Sequence, residues 1–195
     1  MAHAKAPRLL ASLCAAVLCG LLALPAGATA ASGSPKAKRS QQCANTELVP
    51  DAGNVAAVRA AVLCLHNRER GARGLAPLRE QAKLRQAAEG HSADMVEQGF
   101  FSHDSPGGAD MADRILRTGY ARDQGWSLGE NIASGTGGLA TAAEIHRALM
   151  RSPGHKANIL RRQFREIGIG IAIGAPVDAG GLDGASYPAD FGVRR

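Results

Sequence analysis

Residues 167–173 alternate isoleucine with glycine and alanine, and this segment constrains the fold more than any other. Its β-branched side chains predict a strand, because they pack well on a pleated surface. Gly168 and Gly170 interrupt the strand at every second position, and glycine inside a strand is typical of a place where another backbone approaches closely. We therefore expect a second structural element to lie directly against this strand.

Helical patterns precede the strand. Apolar residues recur at spacings of three and four, and N-cap and glycine signals mark the ends of the segments. The predicted helices cover residues 54–70, 78–98, 111–118 and 141–151, and a short helix follows Ser152-Pro153. Residues 186–193 predict a last strand, which Pro188 should confine to a sheet edge because proline cannot donate to a ladder. This order predicts an α+β fold with helices on a small sheet.

The first thirty residues predict a cleaved export signal of the Sec type. Lys5 and Arg8 give a positive start, an apolar run follows, and an Ala-Thr-Ala cleavage site ends at Ala30. A retained membrane anchor is the alternative, but a run of about 16 residues is short for a span of about 20. A lipid anchor on Cys19 is a further alternative, although a leucine precedes it where a small residue is expected. We expect a secreted, extracellular protein.

Removal of this leader would leave a flexible polar segment over residues 31–42 and one domain over residues 43–195. The whole chain has a net charge of +6, and its basic residues are interspersed with acidic ones. Aromatic residues make up 4% of the chain and form no basic-aromatic stripe, so nucleic acid is not an expected partner. We also expect no stable membrane span in the mature chain.

Two cysteines, Cys43 and Cys64, remain in the predicted domain. An oxidising compartment favours a disulfide between them. The alternative is a thiol nucleophile, but neither cysteine lies in a C-x-x-C motif or at a helix start that would lower its pKa.

Common catalytic motifs such as H-E-x-x-H, G-x-S-x-G and the P-loop do not occur in the sequence, so function must come from dispersed residues. His103 and His155 each follow a serine-containing turn at the end of an element, where loops place functional groups. Glu130 lies between apolar neighbours and needs a partner if it is buried. Glu130 could form a salt bridge or backbone contacts, or else it could face the two histidines across a cleft.

The other histidines of the predicted domain have less specific positions. His66 and His146 are predicted at the surface, and His91 is predicted in the core or behind a site.

Four segments in this order resemble the bacterial branch of the CAP superfamily, which includes cysteine-rich secretory proteins, antigen 5 and the group 1 pathogenesis-related proteins. They are FSHDSPGG at residues 101–108, GENIAS at residues 129–134, LMRSPGHKANIL at residues 149–160 and FREIGIGIA at residues 164–172. The resemblance covers residues 55–193. It implies an α-β-α sandwich with a small, mostly antiparallel sheet between helices, and a secreted location.

The resemblance also implies a central cleft lined by histidines and acidic residues. It assigns His103, Glu130 and His155 to that cleft, with Asn131 and Ser152 beside it. Eukaryotic members carry a glutamate where Ser152 stands here, so the acidic set of the family is incomplete in this chain.

Two imidazoles and a carboxylate suit a divalent, zinc-like metal ion. His103 and His155 would be its ligands, with Glu130 as a third ligand or a supporting group, and no organic cofactor is expected. The same three residues could serve as catalytic acid and base without a metal.

Three classes of function stay open, since fold does not settle function. They are a binding module for an unknown extracellular ligand or protein, a secreted hydrolase acting on peptides or the cell envelope, and a sterol or lipid carrier.

Overall fold

The structure is a computed structural model that describes residues 42–121, 125–177, 180 and 183–194. The predicted export signal with its cleavage site near Ala30, and residues 31–41 of the predicted flexible segment, lie outside the described residues. Within the described part of the chain, no helix has the length and apolar character needed to cross a membrane.

Helices and strands alternate irregularly along the described chain. The helices are α1 Val55–Ala72, α2 Ala82–Gln98, α3 Met111–Arg117, α4 Ala142–Arg151 and α5 Pro153–Leu160, with a 3-10 turn at Gly137–Ala140. The strands are β1 Arg79–Glu80, β2 Trp126–Asn131, β3 Ser134–Thr136, β4 Glu166–Ile169, β5 Ala172–Ile173, β6 Gly184–Ser186 and β7 Ala189–Arg194.

Two small sheets lie between the helices. The first has the strand order β1-β4-β7-β2 and is antiparallel except for the parallel pair β1–β4. The second has the order β3-β6-β5 and is antiparallel. Apolar side chains of α1, α4 and α5 form one core with Ile167, Ile169 and Phe191 of the first sheet. A second cluster joins α2 and α3 through Leu84 and Ile115. The α+β sandwich predicted from the sequence is confirmed.

Three predicted element boundaries are wrong. Helix α2 begins at Ala82 rather than at residue 78, because Arg79 and Glu80 pair with β4 as a short strand. The predicted strand over residues 167–173 is divided between β4 and β5, which belong to different sheets. The predicted last strand is likewise divided into β6 and β7. Pro188 lies at that division, where the chain passes from one sheet to the other, and β7 is an inner strand rather than an edge.

The predicted close approach of a second backbone to the glycine-containing strand is confirmed. A Cβ atom at Gly168 would lie 1.9 Å from the backbone nitrogen of Arg85, and one at Gly170 would lie 2.2 Å from the carbonyl oxygen of Ala88. Both contacts are to the backbone of α2. Glycine therefore lets α2 lie directly on β4, closer than any side chain would permit.

The Cys43–Cys64 disulfide is formed and joins the start of the described chain to α1. The two cysteines are 21 positions apart in the sequence. In the chain-entropy model, closing a loop of this size stabilises the fold by about 3 kcal/mol.

The prediction that His66 and His146 lie at the surface is wrong. Both are buried, and their Nδ1 atoms are 3.1 Å apart. The apolar stripe of α1 predicts a buried face that is too narrow. Helix α4 packs beside α1 and covers His66 as well. One neutral ring donates its Nδ1–H to the other. Burial is the main cause that lowers the pKa of His66 to about 3 and that of His146 to about 4.

Replacing Gly168 with alanine tests the contact between α2 and β4. We expect Gly168→Ala to lower the free energy of unfolding by more than about 3 kcal/mol, because the new methyl group meets backbone that cannot move alone. The matched control is Gly71→Ala in α1, where no atom lies within 4 Å of the added Cβ. It should raise stability by about 0.5–1 kcal/mol. Urea unfolding of both variants measures the difference, and similar effects at the two positions would contradict this packing.

The buried histidine pair predicts a loss of stability in acid. The unfolded chain protonates His66 and His146 near their ordinary pKa of about 6.5, whereas the folded chain resists protonation until about 4 and 3. The free energy of unfolding should therefore be highest above pH 6.5 and fall as the pH drops towards 4. In His146→Gln, urea unfolding between pH 6 and 4.5 should show a slope smaller by up to about 1.4 kcal/mol per pH unit. An unchanged slope would contradict the conclusion that burial lowers the pKa of His146 in the folded chain.

Candidate functional site

The carboxylate of Glu130 is buried and shared between two partners. Its side chain, on β2, is 2% exposed. Oε1 accepts a hydrogen bond from Nδ1 of His103 at 2.7 Å, and Oε2 accepts one from Nη2 of Arg114 at 2.7 Å. Glu130 therefore has a salt bridge to Arg114, which is the first of the two possibilities left by the sequence, and it also contacts His103.

His103 combines an anchored nitrogen with an accessible ring. Its side chain is 52% exposed although Nδ1 is bonded to a buried carboxylate. A neutral ring that donates its Nδ1–H to a carboxylate carries its lone pair on Nε2. In the neutral ring this contact therefore fixes the tautomer of His103 and leaves the lone pair on Nε2.

Two buried side chains hold the loop that carries His103. Nε2 of His91, on α2, donates to the carbonyl oxygen of Ser102 at 2.9 Å. Nη1 of Arg114, on α3, donates to the carbonyl oxygen of Ala109 at 3.0 Å. Burial lowers the pKa of His91, which favours its neutral form. The prediction that His91 lies in the core or behind a site is confirmed, since it is 1% exposed.

His155 lies in the first turn of α5 and is half-buried. Its pKa is lowered, first by burial and then by the charge that His103 carries in its protonated form. A lowered pKa keeps the His155 ring neutral, with a lone pair available, at neutral pH.

Two asparagines fasten α5 to β2. Nδ2 of Asn131 donates to the carbonyl oxygen of His155 at 3.0 Å. Nδ2 of Asn158 donates to the carbonyl oxygen of Glu130 at 3.0 Å and to Oδ1 of Asn131 at 2.9 Å. Asn131 is fully buried. These amide contacts hold His155 beside the strand that carries Glu130. We call His103, Glu130 and His155 the cleft residues.

Ser152 has a less direct connection to the cleft. It occupies the N-cap position of α5, and Pro153 follows as the first helical residue, as the sequence predicts. Its side chain makes no capping hydrogen bond to the helix. Its carbonyl oxygen accepts from the backbone N–H of Lys156 at 2.9 Å. Ser152 therefore contributes through its backbone to the turn that carries His155.

Sequence reasoning missed Arg114, Asn158 and Asp190 as neighbours of Glu130. Arg114 could have been found, because it adjoins Ile115 on the inward side of an amphipathic helix and a buried cation needs an acidic partner. Asn158 lies three residues after His155 and so shares its side of a helix. Asp190 depends on strand register, which places it opposite Glu130. No local pattern indicates that pairing.

Asp190 adds a second carboxyl group behind Glu130. It is 1% exposed and lies opposite Glu130 on the neighbouring strand, where the two carboxyl groups interact. Burial first, and then the negative charge of Glu130, raise its pKa well above the usual range. Asp190 is therefore favoured in its neutral, protonated form, which limits repulsion between the two carboxyl groups.

The cleft residues do not form a complete set of metal ligands. Across the described ranges, no group of three or more His, Cys, Asp or Glu side chains is arranged to hold one. Both oxygens of Glu130 are already hydrogen-bonded. Its position fits a carboxylate that orients a histidine ligand. His103 and His155 are the residues that could hold an ion, and water or an added ligand would have to complete its coordination.

Comparison with known proteins identifies the family. The family model described as the cysteine-rich secretory protein family, CAP, matches residues 63–179. The chain therefore belongs to this family. The protein YkwD of Bacillus subtilis is 36% identical over 117 residues, which are 60% of this chain and 43% of YkwD. The chain thus spans less than half the length of this relative.

Solved structures share the fold. An extracellular protein containing an SCP domain from Bacillus anthracis matches with a TM-score of 0.54 and 29% identity, over 69% of this chain and 39% of that chain. An outer surface protein from Borrelia burgdorferi matches with a TM-score of 0.52 and 21% identity, over 67% of this chain and 87% of that chain. These similarities agree with the helix-and-sheet sandwich described above.

Proposed function

We propose that this protein is an extracellular binding module whose cleft holds a divalent, zinc-like ion between His103 and His155. The observation that carries the proposal is the 2.7 Å contact between Nδ1 of His103 and Oε1 of Glu130. A carboxylate on one ring nitrogen is the usual support of a histidine that binds metal through the other. Glu130 supplies this support from a buried position held by Arg114.

The lowered pKa of His155 favours the same role. A ligand histidine must be neutral to offer its lone pair, and burial disfavours protonation of His155. A cation placed between two protonated imidazoles would be repelled. Two neutral rings would instead attract it.

An ion bound in this way would act as a Lewis acid with open coordination positions. The partner could then be an extracellular ligand or protein that presents a carboxylate, an imidazole or another donor to the ion. The residues of the chain would position the two ligand histidines, because Glu130 orients His103 and the two asparagines hold α5, which carries His155.

Location outside the cell has three supports. Residues 1–30 have the composition of an export signal that ends near Ala30. The Cys43–Cys64 disulfide suits an oxidising compartment. Similar solved structures are described as an extracellular protein and an outer surface protein.

A hydrolase is the second candidate, because His103 and Glu130 form the pair of a general base and its orienting carboxylate. Among the described residues, however, no serine, threonine or cysteine side chain is hydrogen-bonded to His103. The nucleophile would therefore have to be water. The binding role needs no such additional group, so we favour it.

Zinc titration by calorimetry tests the binding role. We expect about one ion per chain, and at least ten-fold weaker binding in both His103→Ala and His155→Ala, because each removes one of two protein ligands. Glu130→Gln should weaken binding by about ten-fold or more through loss of the support for His103. His146→Gln is the matched control, since it removes a histidine from the pair with His66, and its affinity should equal that of the wild type.

Two outcomes would contradict the proposal. Equal zinc affinity in the wild type and the double variant His103→Ala/His155→Ala would place the ion elsewhere. Turnover of casein, an ester or peptidoglycan that disappears in a folded Glu130→Gln variant would favour the hydrolase. Circular dichroism should accompany each variant to show that it is folded.

A further inference from the structure

A second site lies at the edge of the first sheet, where β1, β4 and β7 form one wall of a cavity of about 610 Å³. Three exposed arginines, Arg79, Arg165 and Arg194, line it together with a single acidic residue, Glu166. We call these four residues and the space between them the arginine cavity. None of them contributes to the cleft.

The acid of the arginine cavity is already neutralised. Oε1 of Glu166 accepts from Nη2 of Arg194 at 2.7 Å, and its Oε2 accepts from the Tyr120 hydroxyl at 2.6 Å. Arg165 donates to the carbonyl oxygen of Phe164 at 3.0 Å. Neither Arg79 nor Arg165 forms a salt bridge with any carboxylate in the described part of the chain. Two guanidinium groups of the cavity are therefore uncompensated.

A buried cation increases this excess of positive charge. Arg70, on α1, is 0% exposed. It donates only to backbone carbonyl oxygens, those of Ala76 at 2.9 Å, Ile159 at 2.8 Å, Arg161 at 3.0 Å and Phe164 at 3.1 Å.

Arg70 lies close to the arginine cavity. Ala76, whose carbonyl oxygen it binds, lines the cavity, and Phe164 precedes Arg165. Burial and the like charge of Arg165 both lower the pKa of Arg70. A buried guanidinium without an acidic partner makes its surroundings favourable to an anion.

The two uncompensated arginines line the same cavity. The backbone N–H of Arg79 donates to the carbonyl oxygen of Arg165 at 2.9 Å, so the two residues lie on adjacent segments, with Glu166 paired to Arg79 in the sheet. Guanidinium groups present paired N–H donors that match the oxygens of phosphate. Two such groups that line one cavity could both bind a tetrahedral oxyanion held in it.

We propose that the arginine cavity binds a phosphate-type oxyanion through Arg79 and Arg165, in the electric field of Arg70. The ligand is a phosphate mono- or diester, either free in solution or carried by a lipid headgroup. This site is independent of the metal-binding cleft.

The test compares matched double variants in titrations with inorganic phosphate at constant ionic strength. Arg79→Gln/Arg165→Gln removes the two cavity cations. The control Arg68→Gln/Arg147→Gln removes two exposed arginines that line a different cavity, between α1 and α4, and so changes the net charge equally. We expect saturable binding to the wild type by calorimetry, at least ten-fold weaker binding in the cavity variant, and a change of less than two-fold in the control.

Vesicles distinguish the two sources of phosphate. Binding to phosphatidylglycerol vesicles, absent with phosphatidylcholine and lost in the cavity variant, would indicate a lipid headgroup. Phosphate binding without vesicle binding would indicate a soluble ester. Both results support the proposal.

Absence of saturable phosphate binding to the wild type would overturn the proposal, and so would equal affinity in the two double variants. If the cavity variant does not fold, Arg79→Lys/Arg165→Lys replaces it, because lysine keeps the charge but not the paired donors. We expect that replacement to weaken phosphate binding by several-fold. His103→Ala should leave phosphate binding unchanged, so failure of the metal proposal and failure of this one are distinguishable.

Discussion

The buried carboxylate of Glu130 is the interaction on which the cleft depends. It gives one oxygen to His103 and the other to Arg114, and so joins a loop, a helix and β2. Without it, Arg114 would be a buried cation with no acidic partner, which is strongly destabilising. His103 would also lose the bond that fixes its tautomer. The ionic contact that stabilises this part of the fold is therefore the same one that orients the ring of His103.

The packing of α2 on β4 makes this arrangement possible. Gly168 and Gly170 bring the helix against the strand. From the same helix, His91 binds the carbonyl oxygen of Ser102, next to His103. On the other side of the cleft, Asn131 and Asn158 hold α5 and with it His155. The cleft is thus built from contacts that also close the sandwich.

The parts of the fold and of the site that depend on local sequence patterns could be predicted from the sequence. The strand with alternating glycines, the turn at Ser152-Pro153 and the need of Glu130 for a partner all follow from short-range chemistry. The predictions of burial and of side-chain partners failed where contacts between residues distant in sequence determine them. His66 and His146 lie off the apolar stripes of their helices, yet they are buried because α1 and α4 cover each other. Asp190 faces Glu130 only through strand register, and Arg70 finds its carbonyl partners on segments distant in sequence.

The most direct test of the central claim is a crystal structure of the zinc-soaked protein with anomalous diffraction recorded at the zinc edge. The account predicts one strong peak about 2.0–2.1 Å from Nε2 of His103 and from a ring nitrogen of His155. Glu130 should remain hydrogen-bonded to Nδ1 of His103. A peak bound directly by the Glu130 carboxylate, or found only outside the cleft, would contradict the account.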